Sequence, residues 1–405
     1  MNKIILHIDM NSYFASVEQQ ANPFLRGKPI GITGKHQERS IVAAASLEAK
    51  RLGVKTAMST WEAKRVCPSL LLYPGDPEKY SDITQRFNKI YREYTDRVDE
   101  FSVDESFLDL TDVTQDYLGA TCIALTIREQ LKTALGEHIT ASIGIASNKL
   151  IAKLSSGHLK PNGLTVTPPT QVIQLLDNSE LMDVCGIGPR IEQRLNDLGI
   201  HNFEQLRHFP LQPLIGEFNQ YGLWLHHAAW GEEKTKISTN TNIQTQKTQN
   251  SYGHSYTLPS DTDDPLEMKR CLLALSDRVA WRLRRDKLLA KKIHVIIRYA
   301  DFTSTGQQCT INTATADGLT LFRTAWRLME RWRDETKSVR LLGISASELS
   351  QSHETQSLFK KDQRMRSLQK TLDILQHRYG PRAWIRASTL HMNMKSRSSG
   401  FHFNQ

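Results

Sequence analysis

Apolar residues along this chain fall into short runs with different periods. Residues 3 to 9 place Ile4, Ile5, Leu6 and Ile8 almost without a break, the pattern of a buried strand, and the run stops at Asp9. A helix is predicted a few residues later, over about Tyr13 to Gln20. The stretch FSVDESFLDL at 101 to 110 contains the strand formers Phe101, Val103, Phe107 and Leu108, but two carboxylates, Asp104 and Glu105, sit side by side among them. Two helical stretches flank Gly186 and Gly188 within DVCGIGPRIEQRLNDLGI at 183 to 200. Residues 235 to 250, TKISTNTNIQTQKTQN, have almost no apolar anchors and read as a linker. Beyond it a helical pattern over 266 to 286 carries Arg278, Arg282 and Arg285 at i, i+4 and i+7. Ile293, Val295 and Ile297 then alternate as a strand, followed by a second helix and strand.

Adjacent acids repel, so Asp104 and Glu105 need an account. A solvated turn is one. The other is a pair held at a sheet end to grip a divalent cation, which offsets the repulsion but needs a further ligand. Asp9 supplies a candidate, because a strand end presents its side chain outside the sheet and the 101 to 110 hairpin could lie beside it. Three converging carboxylates are costly to hold without cations, so two Mg²⁺ ions are the natural filling, and two metals imply phosphoryl transfer.

Charge changes the picture further along the chain. The 405 residues carry a net +9, but residues 1 to 245 hold 25 Lys+Arg against 28 Asp+Glu, while the remainder hold 27 against 15. A slightly acidic part joined to a basic one suggests carboxylate and metal chemistry attached to a module that grips a polyanion. With 39% hydrophobic residues the chain can bury a large core, divided among three or four modules. The five cysteines show no CxxC spacing, which fits a reducing cytoplasm and argues against a zinc site or a disulfide framework. The apolar stretch at the start meets Asp9 too soon for a signal peptide, and no later run is long enough to span a bilayer, so no membrane contact is expected.

Three blocks, HIDMNSYFASVEQ at 7 to 19, SVDESFLDLT at 102 to 111 and KPNG at 160 to 163, closely resemble the Y-family translesion DNA polymerases, of the bacterial DNA polymerase IV type. The resemblance runs over most of the chain. It implies an α+β fold, a right-handed palm (1–10 and 77–166), fingers (11–76) and thumb (167–233), then a linker (234–250), an α/β little finger (251–350) and a basic tail (351–405). It further implies template-directed addition of deoxynucleotides to a primer 3′-hydroxyl, with low fidelity and no proofreading, by a cytoplasmic, nucleoid-associated monomer acting on primer-template DNA. Asp9, Asp104 and Glu105 match the family's metal ligands, with the main-chain carbonyl of Met10 completing one shell. Phe14 matches the steric gate against a ribose 2′-hydroxyl, Tyr13 an aromatic at the nucleotide pocket, Lys160 a lysine reaching the triphosphate, and Ala43 and Ala57 a low roof over the nascent base pair. Gly186 and Gly188 resemble a helix-hairpin-helix that holds the duplex backbone, a helix C-cap and tight turn being the plainer reading; Arg278, Arg282 and Arg285 fall in the DNA-binding little finger or form a solvated face.

Two departures stand out. Where the family usually has a tyrosine in the triphosphate clamp, this chain reads Ala44, Ala45, Ser46, Leu47, Glu48, Ala49, Lys50: Leu47 can donate nothing, and Lys50 keeps charge without the arginine fork. Asn11 stands where a second Asp is common. In the tail, TQSLF at 355 to 359 partly resembles a sliding-clamp-binding peptide, with Gln356, Leu358 and Phe359 as its contacts; packing of Leu358 and Phe359 onto the little finger is the alternative. A palm-type nucleotide cyclase would not need the 183 to 200 motif or the basic module. A catalytically weak homologue serving as a DNA-binding accessory subunit is the remaining alternative, kept open by Leu47 and opposed by the three intact carboxylates.

Overall fold

The computed structural model describes residues 3–34, 40–233, 249–351, 360–380, 383–390 and Met392. The described residues up to 233 form one compact unit and those from 249 onward a second. Most of the linker, and Gln356, Leu358 and Phe359 of the tail peptide, lie outside the described residues.

The first unit begins with β1 (Ile5–Met10) and α1 (Tyr13–Ala21), followed by β2 (Ile30–Thr33), β3 (Ala44–Ala45), α2 (Leu47–Arg51), α3 (Thr60–Val66) and β4 (Leu71–Pro74). Next come α4 (Pro77–Arg92), β5 (Val98–Glu100), β6 (Glu105–Asp109), α5 (Tyr117–Leu135), β7 (Ala141–Ala146), α6 (Lys149–His158) and β8 (Leu164–Thr167). Five strands make a sheet in the order β5-β6-β1-β7-β8, which places β1 at its centre. The near-continuous apolar run of β1 follows from this, since both faces are covered. Leu6, Ile8 and Met10 pack with Phe87 and Tyr91 of α4 and Ala124 and Ile127 of α5, while Ile5 joins Leu150, Ile151 and Leu154 of α6 on the other side. Helix α6 lies close on β7: a Cβ at Gly144 would stand 2.0 Å from the Ala152 carbonyl oxygen, so only glycine admits the helix at this distance.

A smaller sheet, ordered β3-β2-β4, carries α2 and α3 around Val42, Ala45, Ala49, Ala63 and Leu70. Five helices complete the unit: α7 (Val172–Asp177), α8 (Pro189–Asp197), α9 (Phe203–His208), α10 (Leu211–Phe218) and α11 (Gln220–Ala229). The helical stretch expected just before Gly186 is a single 3-10 turn, Leu181–Asp183. The Asp183 carboxylate accepts from the Glu180 N–H at 2.9 Å and closes that turn. Gly186 then takes φ +116°, which a side chain would strain, and Gly188 is the N-cap of α8, with Pro189 as its first residue.

The second unit consists of β9 (Ser251–Thr262), α12 (Pro265–Arg285), β10 (Leu288–Tyr299), β11 (Ser304–Thr315), α13 (Gly318–Trp332), β12 (Val339–Gln351) and α14 (Lys360–Tyr379). Its sheet runs β11-β10-β12-β9, antiparallel throughout. Ile293, Val295 and Ile297 are buried with Leu275, Val279 and Leu283 of α12 and Leu321, Ala325 and Met329 of α13, as the alternation predicts. Helix α14 is tied to α12 by a two-pronged Arg284–Asp373 pair at 2.8 Å. Among the described residues no helix is long and apolar enough to cross a membrane.

Of the three α12 arginines expected at DNA, Arg278 and Arg282 are half-buried and find acceptors within their own unit, while Arg285 is exposed. Arg278 donates to His254 Nε2 at 3.0 Å, and Arg282 donates to the Gly253 carbonyl at 3.2 Å and lies over the Tyr252 ring. Burial, helped by these two cations, pushes His254 down to about 4, so it accepts as a neutral imidazole. Arg285 donates to Asp286 and caps Trp281. The reason is geometric: this face of α12 packs against the edge strand β9, and half-buried guanidinium groups need acceptors there.

Candidate active site

Strand β1 ends at Asp9 and Met10, and β6 begins at Glu105. The antiparallel register sets Asp9 directly opposite Glu105. Asp104 stands in the turn before β6, outside the pleat, so strand alternation does not send it to the opposite face from Glu105. The turn is tightly specified: the N–H groups of Phe101 and Ser102 both donate to the Glu105 carbonyl at 3.1 Å, and the Met10 N–H donates to the Asp104 carbonyl at 3.0 Å. All three carboxylates line one cavity of about 430 Å³.

Each carboxylate has a donor. Lys160 pairs with Asp9, Lys153 with Glu105, and the Ser102 hydroxyl donates to Asp104 at 2.7 Å. Burial raises the pKa of Asp104 and Glu105; the Asp9 charge adds to both, while Ser102 and Lys153 respectively oppose the rise.

The same cavity is bordered by Tyr13, Phe14, Ala43, Ala44, Leu47, Lys50 and Thr56. Helix α2 sets the spacing of this wall: the Ser46 hydroxyl caps it by accepting from the Ala49 N–H at 3.2 Å, which places Leu47 in the first turn and Lys50 near the end. Burial and the neighbouring Lys160 lower the Lys50 pKa, against the pull of Asp9 and Asp104. Phe14 is half-buried and stacks on Tyr80 with ring centroids 4.4 Å apart and planes at 15°. Tyr13 also borders the cavity; its side chain is buried and its hydroxyl donates to the Tyr80 carbonyl at 2.7 Å, which ties this wall to the core. Ala57 is exposed, with a left-handed φ of 69°, and borders the cavity only through its neighbour Thr56.

Lys153 and His7 were not anticipated. Lys149 and Lys153, i and i+4 on α6, could have signalled a cationic helix face; they meet Asp99 and Glu105. His7 is fully buried, its pKa lowered by burial, with Nδ1 2.7 Å from the Ser156 hydroxyl and Nε2 3.9 Å from Glu105. Asn11 is buried as well: its amide donates to Thr140 Oγ1 at 3.1 Å and its oxygen accepts from Ser142 at 2.9 Å, so a neutral amide satisfies both partners.

Among the described residues no three His, Cys, Asp or Glu side chains are gathered as a ready metal-ligand group. Asp9 and Glu105 are instead each held by a lysine. The donor chemistry nevertheless fits hard divalent cations, since three carboxylates on one cavity floor offer oxygen alone.

Residues 8–157 match the model of the impB/mucB/samB family, and residues 249–358 that of the impB/mucB/samB family C-terminal domain. DNA polymerase IV of Desulfatibacillum aliphaticivorans is 33% identical over 85% of this chain and 85% of its own. DNA polymerase IV 1 of Bacillus subtilis (strain 168) is 32% identical over 100% of this chain and 97% of its own. Among solved structures, the Y-family DNA polymerase chimera Dbh-Dpo4(243-245)-Dbh superposes with a TM-score of 0.74 at 25% identity, covering 85% of this chain and 98% of the chimera. With both family models matched in order and DNA polymerase IV relatives above 30% identity over most of their length and of this chain, the chain belongs to the impB/mucB/samB family of Y-family DNA polymerases.

Proposed function

We propose that this chain carries out translesion synthesis, extending a primer 3′-hydroxyl opposite damaged template by two-metal phosphoryl transfer, at low fidelity and without proofreading. As a family member it is a DNA-directed DNA polymerase, with DNA and nucleotides as substrates. The observation that carries the finer reading is the Asp9–Glu105 cross-strand pair, with Asp104 beside it, on the floor of the cavity that Phe14 and Lys160 border. Y-family polymerases depend on divalent metal; two Mg²⁺ ions, held by Asp9, the Met10 carbonyl, Asp104 and Glu105, would lower the pKa of the primer hydroxyl and neutralise the leaving pyrophosphate.

The chain's own residues supply position and charge. Lys50 and Lys160 border the cavity as cations for the triphosphate, and Lys153 holds Glu105 in place. Phe14, backed by Tyr80, presents a flat ring to the sugar. Ala43, small where it borders the cavity, suits the roof over a distorted base. We assign the five-stranded sheet to the palm (1–10 and 77–166), the small sheet to the fingers (11–76), α7 to α11 to the thumb (167–233), and the second unit to the little finger (251–350). For the duplex, the N–H groups around Gly186 and Gly188 at the start of α8 suit a phosphate. In the little finger the open sheet face suits a groove better than Arg278, Arg282 and Arg285 do. There His294 lies opposite Gln308 and Ser345, Ile296 opposite Gly306 and Gly343, and Arg298 opposite Ser304, a row of mostly small and polar neighbours. Primer extension with purified protein, Mg²⁺ and deoxynucleotides, on intact and abasic templates, tests the proposal. Absence of any addition would sink the polymerase reading, and a stop at every abasic site would sink the translesion part. The accessory-subunit alternative is not favoured, because the carboxylate set is intact.

Leu47 lines the cavity and offers no hydrogen bond to a triphosphate. Leu47→Tyr restores a donor at the clamp, and one charge-assisted hydrogen bond of about 1.5 to 3 kcal/mol lowers the deoxynucleotide KM by roughly tenfold or more. Steady-state single-nucleotide kinetics check this; an unchanged or raised KM means that the pocket has repacked around leucine. For the tail, we propose a sliding clamp as partner, a monomeric state and a cytoplasmic, nucleoid-associated location. Leu358→Ala with Phe359→Ala should then abolish stimulation by a loaded clamp while bare-primer extension persists. Equal stimulation in the double variant would exclude this peptide as the tether.

A further inference from the structure

Beneath the Phe14–Tyr80 stack lies a buried carboxylate that the reaction itself does not use. Glu18 stands one helical turn beyond Phe14 on α1, with its side chain 1% exposed. Its two oxygens are both occupied: the Tyr80 hydroxyl donates to Oε1 at 2.9 Å and the Lys79 ammonium to Oε2 at 2.8 Å. The start of α4, which carries Lys79 and Tyr80, is itself fixed by Asp76, whose Oδ1 accepts from the Glu78 and Lys79 N–H groups. Tyr80 is therefore pinned at both ends, its carbonyl accepting from Tyr13 and its hydroxyl donating to Glu18. A phenylalanine would stack on Phe14 equally well, so stacking alone does not explain a carboxylate buried behind the phenol. Burying a charge is costly unless it is paired and hydrogen-bonded; Lys79 supplies the pair, and the remaining oxygen holds the Tyr80 ring.

We propose that Glu18 is a positioning residue for sugar selection: by holding the Tyr80 hydroxyl it fixes the ring behind Phe14, so that Phe14 cannot retreat before a ribose 2′-hydroxyl. The proposal rests on the reading of Phe14 as the gate. Burial and the Glu18 charge both raise the Tyr80 pKa far above that of a free phenol, so the hydroxyl stays a donor throughout the working pH range.

The test is single-nucleotide incorporation by the full chain, scored as the ratio of kcat/KM for a deoxynucleotide to that for the matching ribonucleotide. Glu18→Met, which keeps volume and removes the acceptor, and Tyr80→Phe, which removes one oxygen, should each lower this ratio by about tenfold. The double variant should lower it no further, because both changes delete the same hydrogen bond. Discrimination between correct and mismatched deoxynucleotides, which a general loosening of the site would erode, should stay within twofold of wild type. Phe14→Val in the same assay reports on the gate itself. If Phe14→Val loses sugar discrimination while Glu18→Met and Tyr80→Phe keep it, the positioning role is overturned and the gate stands. If Phe14→Val keeps it, gate and positioning role fall together. Additive losses in the double variant also overturn the proposal, since they would show independent effects. Should Glu18→Met fail to fold, Tyr80→Phe decides alone.

Discussion

Asp104→Asn and Glu105→Gln should each reduce primer extension by more than roughly a thousandfold, about 4 kcal/mol in barrier height, while primer-template affinity stays nearly unchanged. Both side chains lie on the cavity floor, and both substitutions keep shape while removing the charge that divalent cations require. Loss of fold is not expected to confuse the result. A carboxyl group whose pKa is raised in the folded state carries its charge at neutral pH at some cost to stability, and both are raised by burial. Neutral amides relieve that cost, so thermal midpoints should hold or rise, although Glu105→Gln leaves Lys153 without its partner. DNA affinity, read by fluorescence anisotropy at fixed salt, reports on groups elsewhere in the chain. Residual extension within tenfold of wild type, with folding intact, would remove Asp104 and Glu105 from the chemistry.

Replacing Phe14 with valine should lower discrimination against ribonucleotides by roughly 100-fold, the upper range that a shape difference in an apolar pocket supplies. The ring is half-buried and lies flat against Tyr80, so it has no room to move away from an added hydroxyl. Valine removes the ring and leaves the Tyr80 face open behind it. Single-turnover incorporation of matched deoxy- and ribonucleotides measures the ratio directly. A Phe14→Val protein that rejects ribonucleotides as strictly as wild type would place the gate on another residue.

How much of this was legible in the chain depended on the range of the forces involved. The β1 strand, the α1 start at Tyr13 and the alternation of Ile293, Val295 and Ile297 are consequences of local hydrophobic period, so the sequence alone determined them, with β1 running one residue past the expected end at Asp9. The carboxylate set was legible for a different reason: Asp104 and Glu105 inside a strand-forming run are a local anomaly that a solvated turn explains less well once Asp9 is placed beside them. The Asp9–Glu105 register required the fold, because strand pairing joins residues nearly a hundred positions apart. Long charged side chains were the least legible. Arg278 and Arg282 share a helix face that looks ready for phosphate, yet the packing of α12 against β9 gives them acceptors within their own unit. Lys153, which nothing in the sequence singled out, pairs with Glu105 from a helix that Gly144 lets lie close on β7. Tyr13 and Tyr80 show the same division: the sequence placed an aromatic beside Phe14, but only tertiary packing tied the Tyr13 hydroxyl to the Tyr80 carbonyl and set Tyr80, held by Glu18, behind the Phe14 ring. Backbone pattern is set by neighbours in sequence, whereas the destination of a flexible polar side chain is set by whichever distant donor or acceptor the fold brings within hydrogen-bond reach.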